Sequence, residues 1–139
     1  MASAVPFKLI TPLAVAFEGE AELVIAVGTE GEVGILPKHA PFLTALRPGV
    51  LRANVIEGGA ARRLELATGE GFMQALPDRV TVLVDQALGA DDVDLEATRR
   101  ELAEATERQK AAGSDLATHA REQSIIDFAN AKLRVTGRS

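Results

Sequence analysis

The chain of 139 residues is long enough for one hydrophobic core, and its 47% hydrophobic and 25% charged residues are ordinary for a globular protein. The net charge of −5 argues against nucleic acid as the main partner, because binding to phosphates needs a basic surface. The absence of cysteine excludes disulfides and thiolate chemistry, and the absence of tryptophan and tyrosine removes most side chains that stack on bases or sugars.

The first part of the chain is predicted to form short β-strands. Valine alternates with other residues in 79–85 (RVTVLVD), which is the period-2 pattern of a half-buried strand. A similar alternation in 50–57 ends at a Gly-Gly pair and resumes behind it, which indicates a β-hairpin. Residues 21–28 and 71–76 are further strand candidates. Short strands separated by glycine and proline, with no helical pattern between them, predict a β-sandwich or a barrel.

The second part of the chain is predicted to be helical. Beyond Gly89 there is no proline, and only Gly113 and Gly137 remain as glycines. Without such turn-forming residues long helices can form. Acidic residues open this stretch and basic residues close its first half, as the helix macrodipole favours. We expect Gly113 to end a first helix and Ser114 to cap a second one.

The two predicted helices carry few large apolar side chains. Local support comes from ion pairs at i,i+4 spacing, such as Glu104 with Arg108. Helices with such small apolar faces are not stable alone, because helical stability in proteins comes mainly from packing. We therefore expect the two helices to pack on each other, on the sandwich or on a partner. We therefore predict a β-sandwich domain at 1–88 and an α-helical hairpin at 89–139, with a hairpin able to exist in two states.

Residues 28–48 (GTEGEVGILPKHAPFLTALRP) are the strongest candidate for a functional loop, with three glycines, three prolines and His39. A phosphate-binding loop needs Gly-Lys-Ser/Thr entering a helix, whereas Gly34 is followed here by Ile-Leu-Pro. His39 has no serine or orienting carboxylate near it in sequence, and we expect its ring to bond the backbone of the loop. Two histidines without cysteine make a weak metal site. We therefore predict no catalytic residue, no metal and no cofactor.

The same stretch, extended to GTEGEVGILPKHAPFLTALRPGVLR, closely resembles the signature of the epsilon subunit of bacterial F-type rotary ATP synthases. In that family a strand ends in Gly-x-Glu-Gly-x-x-Gly, followed by Pro-x-His-Ala-Pro and by Thr-x-Leu-x-Pro-Gly. The resemblance covers the whole chain, from a first strand in MASAVPFKLITP to paired helices at the C-terminus. It implies a non-catalytic subunit of the central stalk, which couples rotation of a proton-driven c-ring to ATP synthesis in the catalytic head.

The resemblance also implies where the partners bind. The sandwich would contact the gamma subunit and the polar loops of the c-ring, at the cytoplasmic face of the bacterial inner membrane. The residues that match the ring-facing segment of the family are Glu30, Gly31, Glu32 and His39, with Glu32 as the expected contact. The residues expected to fix the shape of a protruding loop are Gly28, Gly34, Pro37, Pro41, Pro48 and Gly49. Gamma would bind an apolar face of the sandwich that the sequence alone does not identify.

In many relatives the hairpin rises along gamma and blocks ATP hydrolysis, which implies a contact with the alpha/beta catalytic head. The basic residues that could meet acidic loops there are Arg99, Arg100, Arg108, Lys110 and Arg121; on charge pattern alone they also fit a solvated helix face. Some relatives bind ATP in the folded hairpin through Ile/Leu-Asp-x-x-Arg-Ala and arginines of the second helix. Here Asp94 matches that motif, but Ala97 replaces its arginine. Phe128 and Lys132 stand where two further arginines are expected, so we predict no nucleotide binding.

Two other interpretations of the residues stay open. One is a stand-alone β-sandwich binding module with a helical tail, and the other is an enzyme that uses His39 in a site shared with a partner. No apolar run approaches the roughly 18 residues that span a bilayer, and the N-terminus lacks a signal-peptide pattern. We therefore expect a peripheral protein without direct membrane insertion.

Overall fold

The computed structural model describes residues 4–137, which form nine β-strands followed by two α-helices. The strands are β1 (Val5–Ile10), β2 (Val15–Gly28), β3 (Gly31–Ile35), β4 (Phe42–Leu46), β5 (Gly49–Glu57), β6 (Ala60–Thr68), β7 (Gly71–Leu76), β8 (Arg79–Val84) and β9 (Ala87–Leu88). A 3₁₀ turn at Ala90–Asp92 leads to α1 (Leu95–Ala111) and α2 (Leu116–Val135). The predicted order of a β-sandwich followed by a helical hairpin is confirmed.

The long strand β2 joins the two layers of the sandwich. Its first half pairs with β1 and its second half with β3, while β5 lies along its middle. The strands follow the order β1-β8-β7-β4-β2-β5-β6-β9, with β3 on β2 and a further pairing of β1 with β2. An irregularity in register between Ala21 and Leu23 marks the place where β2 changes layer, since a bulge bends a strand and increases its twist.

The core lies between the layers and follows the alternation read from the sequence. In β8, Val80, Val82 and Val84 are buried, while Leu83 between them is exposed. The largest fully buried apolar side chains are Phe7, Leu9, Ile35, Leu51 and Met73. The hairpin after β5 turns at Gly58 and Gly59, both at positive φ, as the Gly-Gly pair predicts. The sandwich therefore has a core that is independent of the helices.

The expectation that residues 28–48 form one protruding loop is wrong. β3 pairs with β2 from Gly31 to Ile35, and β4 pairs with β7 from Phe42 to Leu46. Only the turns between these strands are irregular. The sequence does not predict β3 because this strand contains two glycines and spans five residues, too few to establish an alternation.

Both helices begin at an aspartate. The Asp94 carboxylate accepts a hydrogen bond from the Ala97 backbone N–H at 3.0 Å, and this caps α1. The expectation that Ser114 caps α2 is wrong, because Asp115 takes that place and accepts from the Thr118 backbone N–H at 3.1 Å. Gly113, at φ 61°, follows the end of α1 as predicted. The Asp115 N–H donates to the Ala112 carbonyl and so closes the connecting turn, and α2 begins directly after Asp115.

Candidate functional site

The four residues expected to face a rotor ring do not form one surface loop. Glu30 and Gly31 lie at the β2–β3 turn, where Glu30 is exposed and Gly31 has a φ of 129°. Glu32 lies in β3, and its carboxylate accepts a hydrogen bond from Arg52 Nη2 at 2.7 Å. His39 follows the other end of β3, and five residues of strand rise about 13 Å from first to last. The structure thus groups Glu30, Gly31 and Glu32 and separates His39 from them.

His39 shapes the β3–β4 connection. Its backbone N–H bonds the Leu36 carbonyl at 3.2 Å, closing a turn with Pro37 at the second position and Lys38 at φ 66°. The ring Nδ1–H donates to the Ala40 carbonyl at 2.6 Å, which is the backbone bond expected from the sequence. The ring also lies edge-on to Phe42, with 6.1 Å between the centroids. These contacts give His39 a structural role in the turn.

The six residues expected to shape the loop differ in their position and in the space around them. A Cβ on Gly49 would lie 2.6 Å from Val27 Cγ2, so only glycine fits there without a shift. A Cβ on Gly28 would lie 3.0 Å from the Gly31 carbonyl oxygen, inside the tight β2–β3 turn. Gly34 is a strand residue whose Cβ, if it had one, would meet Leu23 at an ordinary 3.8 Å, so its expected role in a loop is wrong. The prolines flank the strands: Pro37 and Pro41 in the β3–β4 connection, and Pro48 buried between β4 and β5.

An apolar ridge crosses the outer face of the layer formed by β1, β8, β7 and β4. Leu83 is the register partner of Phe72, and their side chains are 51% and 56% exposed. Ile10 extends this row on β1, and Leu43, 67% exposed, lies two residues along β4 from the partner of Phe72. We call Ile10, Leu43, Phe72 and Leu83 the apolar ridge. Large apolar side chains side by side on a solvent face mark a protein–protein contact.

The hairpin docks on the opposite layer through α2. Ala131 packs with Val50 of β5 and Ala67 of β6, and Phe128 and Val135 flank this small cluster. The remaining large apolar residue near the start of the helix, Leu116, is 80% exposed. Docking of the hairpin therefore rests on few apolar contacts, in agreement with the thin helix faces seen in the sequence.

The seam between α1 and α2 is held largely by polar groups. Arg108 Nε donates to the Glu122 carboxylate at 2.9 Å, and Glu122 is only 6% exposed. The expected pairing of Arg108 with Glu104 is therefore replaced by a contact across the hairpin. Near the other end of the seam, Lys132 Nζ donates to Glu101 at 3.1 Å.

The other basic residues expected to meet a catalytic head lie on the surface of the hairpin. Arg99 and Arg100 are exposed and make no ion pair with any residue in the described range 4–137. Lys110 lies 3.6 Å from Glu107, and Arg121 donates to Thr118 at 3.2 Å. Arg121 also lies 3.9 Å from Glu122. Lys110 and Arg121 thus have acidic neighbours but stay exposed, whereas Arg108 is engaged across the hairpin.

A cleft of about 320 Å³ separates α2 from the sandwich. The ammonium group of Lys132 faces it, 4.9 Å from the centroid of the Phe128 ring and paired with Glu101. Glu70 and Asp85 add negative charge to the lining. A phosphate chain needs unengaged cations, preferably guanidinium groups. The cleft therefore has the wrong charge balance for a nucleotide, and Asp94 is already used as a helix cap.

Two parts of the site have no clear signal in the sequence. The apolar ridge was missed because Phe72 and Leu43 come together only through pairing of β7 with β4. Burial of Glu122 was missed because a charged residue on a helix usually lies on the solvated face. Its spacing of four and seven residues from Ile126 and Ala129 places it on the apolar face of the helix. Exposed leucine and phenylalanine at alternate positions of short strands are the only signal that could have indicated the ridge.

Metal-binding clusters and membrane-spanning helices are missing from the part of the chain that the structure describes. Between residues 4 and 137, no group of three or more histidine, cysteine or acidic residues is placed to hold a metal ion. Within the same residues, neither helix is long and apolar enough to cross a bilayer. At the start of α2, the pKa of Asp115 is lowered by the hydrogen bond from the Thr118 side chain and by that from the Thr118 backbone N–H.

Comparison with known proteins identifies the relatives of this chain. Residues 4–90 match the family model described as ATP synthase, Delta/Epsilon chain, beta-sandwich domain. An ATP synthase epsilon chain of Desulforamulus reducens is 38% identical over 122 residues, which are 88% of this chain and 89% of the relative. One of Moorella thermoacetica is 37% identical over 132 residues, 94% of each chain. A chain in the cryo-EM structure of the Euglena gracilis mitochondrial ATP synthase, OSCP/F1/c-ring, has a TM-score of 0.69 at 18% identity, covering 97% of this chain and 78% of that one; it shows the same fold.

Proposed function

The chain belongs to the family of ATP synthase epsilon chains, non-catalytic subunits of a rotary enzyme, and from this we propose that it joins the gamma subunit to the c-ring in the central stalk. In this role it couples rotation of the proton-driven ring to ATP synthesis at the cytoplasmic face of the bacterial inner membrane. The observation that carries the proposal is the apolar ridge, an exposed sheet face on a molecule whose relatives are parts of a larger complex.

The apolar ridge is the face that we assign to gamma. Its three most exposed members, Leu43, Phe72 and Leu83, lie on adjacent strands of a rigid layer. Removing a large apolar side chain from water stabilises an interface by about 1.5–3 kcal/mol when burial is complete. Three such side chains can supply most of the affinity of a stable stalk contact. The opposite layer is covered by α2 and is not free for this purpose while the hairpin is docked.

The β2–β3 turn is the part that we assign to the ring. Glu30 is exposed at its tip, Gly31 fixes its backbone, and Glu32 is held by Arg52. Contacts between polar loops set register and add little affinity, because solvent competes for the same groups. Pairing with Arg52 gives the Glu32 carboxylate one orientation, which suits a contact that must keep its register. His39 supports this surface indirectly through the shape of the β3–β4 connection.

The hairpin is the part that we assign to regulation. Residues 1–88 act as the anchor and 89–139 as an element that undocks from the sandwich and reaches toward the catalytic head. The hairpin is long enough to contact the head after undocking, because α2 with 20 residues spans about 30 Å. The small docking cluster around Ala131 supports a second posture, since two states can exchange only when they differ by a few kcal/mol.

These assignments can be tested with a catalytic head that contains gamma but lacks its own epsilon chain. The head is titrated with this protein. The full chain and a version ending at Leu88 would be compared for binding and for inhibition of ATP hydrolysis. The truncated version keeps the whole sandwich core, since only Val50 and Ala67 belong to the cluster under the hairpin. We expect both to bind and only the full chain to inhibit. Binding of both without inhibition would leave the coupling role and remove the regulatory one.

A pair of matched variants tests the assignment of the gamma face. Phe72→Glu places a charge in the middle of the apolar ridge, and Leu116→Glu places the same charge on an exposed apolar residue elsewhere. We expect Phe72→Glu to abolish binding to the gamma-containing head and Leu116→Glu to bind like the unchanged chain. Equal binding of the two variants would show that gamma uses another face. Failure of the unchanged chain to bind would favour a stand-alone binding module.

A further inference from the structure

Glu122 is a buried carboxylate that the proposed stalk contacts do not use. It is 6% exposed, and two arginines approach it, Arg108 of α1 at 2.9 Å and Arg121 of α2 at 3.9 Å. Arg121 is the sequence neighbour of Glu122 and stays beside it in any posture of the hairpin. Arg108 is reached only across the seam. The Arg108–Glu122 pair therefore distinguishes the closed hairpin from an open one.

The apolar part of the seam is too small to make this pair redundant. The residues of α1 that are fully buried are Thr98 and Ala105, and the Thr98 hydroxyl already bonds the Asp94 carbonyl within its own helix. The buried apolar residues of α2 are Ala129, Ala131 and Leu133, and Ala131 packs on the sandwich. Small side chains give little gain on burial. Without Arg108 the buried Glu122 carboxylate keeps only the longer contact with Arg121, at 3.9 Å. Because a poorly compensated buried charge is unfavourable, Glu122 stabilises closure only while Arg108 is present.

We propose that the Arg108–Glu122 pair is the latch of the hairpin, which holds α1 against α2 and keeps the Arg108 guanidinium occupied in the closed state. Opening exposes both groups to water and frees Arg108 for another carboxylate. The partner that this fits is an acidic surface of a second protein chain, which replaces Glu122 as the acceptor. That second part rests on the proposed function, in which the surface belongs to the catalytic head. The latch itself concerns this chain alone.

The latch can be measured in the isolated full chain with spin labels. The sequence has no cysteine, so cysteines introduced at Ala103 and Asn130, both exposed, are the only labelling sites. They lie on α1 and α2 away from the connecting turn, where opening is widest. The variants are Arg108→Glu, Glu122→Arg and the two together, which restores the pair with its charges exchanged. Arg100→Glu is the matched control, a charge reversal at an exposed position of α1.

The expected result is a short label distance in the unchanged chain, in Arg100→Glu and in the exchanged pair. Each single variant should increase the ratio of open to closed hairpin by about tenfold or more; this is well below the effect of breaking a fully buried pair because Arg108 is half exposed. Recovery in the exchanged pair shows that the single variants did not simply unfold. A distance distribution in both single variants that is the same as in the unchanged chain would overturn the latch, and so would an exchanged pair that is as open as the single variants.

The second part is tested by inhibition of ATP hydrolysis by the catalytic head. Both single variants should have a larger open fraction of the hairpin, but only Glu122→Arg keeps the basic side chain at position 108. We expect Glu122→Arg to inhibit at about tenfold lower concentration than the unchanged chain, and Arg108→Glu to inhibit less than Glu122→Arg. Equal inhibition by the two would overturn the role of Arg108 in the head contact and leave the latch standing. If no variant binds the head, the proposed function fails, and the label distances still decide on the latch.

Discussion

Phe128→Ala should release the hairpin from the sandwich without unfolding the sandwich. Phe128 is half-buried beside the docking cluster, and its ring lies under the Lys132 ammonium group, 4.9 Å from the nitrogen to the centroid. Half of the burial energy of a phenylalanine is about 1 kcal/mol. The contact between the Lys132 ammonium group and the ring lies within α2 and persists when the hairpin undocks, so it does not add to the docking free energy. A loss of about 1 kcal/mol corresponds to a roughly fivefold larger undocked fraction.

Native-state hydrogen exchange measures this change residue by residue. Amides of α2 that open by undocking should exchange about fivefold faster in the variant, whereas amides of β8 in the sandwich core should keep their rates. Alanine is a better helix former than phenylalanine, so faster exchange cannot be ascribed to a weaker helix. Leu116→Ala is the matched control on the same helix, because Leu116 is largely exposed and its truncation should leave the rates unchanged.

Two results would refute this reasoning. Unchanged exchange in α2 would mean that Phe128 contributes nothing to docking and that other contacts hold the hairpin. An equal increase of exchange in α2 and in β8 would mean that hairpin and sandwich unfold as one unit. In the second case the hairpin is part of the fold's cooperative core and is not a separate element able to undock.

Three further predictions concern the sandwich, the second helix and the cleft. Gly71→Ala should lower the free energy of unfolding in urea by about 3 kcal/mol, because its Cβ would overlap the Leu83 carbonyl oxygen; Gly34→Ala, with ordinary contacts, should be nearly neutral. Nuclear magnetic resonance titration should find the pKa of Asp115 below 3.8, its ordinary value, and Thr118→Val should raise it by removing the side-chain hydrogen bond. Since the folded-state pKa is the lower one, the Asp115 cap stabilises the helix above pH 3.8 and loses this effect as the pH falls through the folded-state pKa. Millimolar Mg-ATP should leave the melting temperature of the chain unchanged, whereas a ligand at 100 times its Kd would add about 2.7 kcal/mol of stability.

The elements that the sequence predicts are those with a clear local pattern. β8 shows alternating valines, and β5 with β6 shows the Gly-Gly turn, so both were located within one or two residues. The helices follow from composition and charge order. β3 and β4 were missed because their register is set by β2 and β7, which lie elsewhere in the chain.

The contacts of the site residues depend on tertiary structure even more than the strands do. Glu32 was identified by resemblance, but its ion pair with Arg52 comes from the alignment of β3 and β5 on either side of β2. The backbone bond of His39 was predictable, because a histidine between prolines in a turn has few other partners. The pairing of Glu122 with Arg108 has no local signal, since the two residues lie on different helices, 14 positions apart.

The parallel pairing of β1 with β8 has a consequence for synthesis on the ribosome. Phe7 lies beside Val80, about 70 positions later in the chain, and contacts so distant in sequence form slowly because a long loop must close first. β1 can pair with β2 early, but its other edge stays open until β8 has left the exit tunnel. The sandwich is therefore completed by one of its last strands. The hairpin emerges only afterwards, onto a surface that is already folded and ready to receive it.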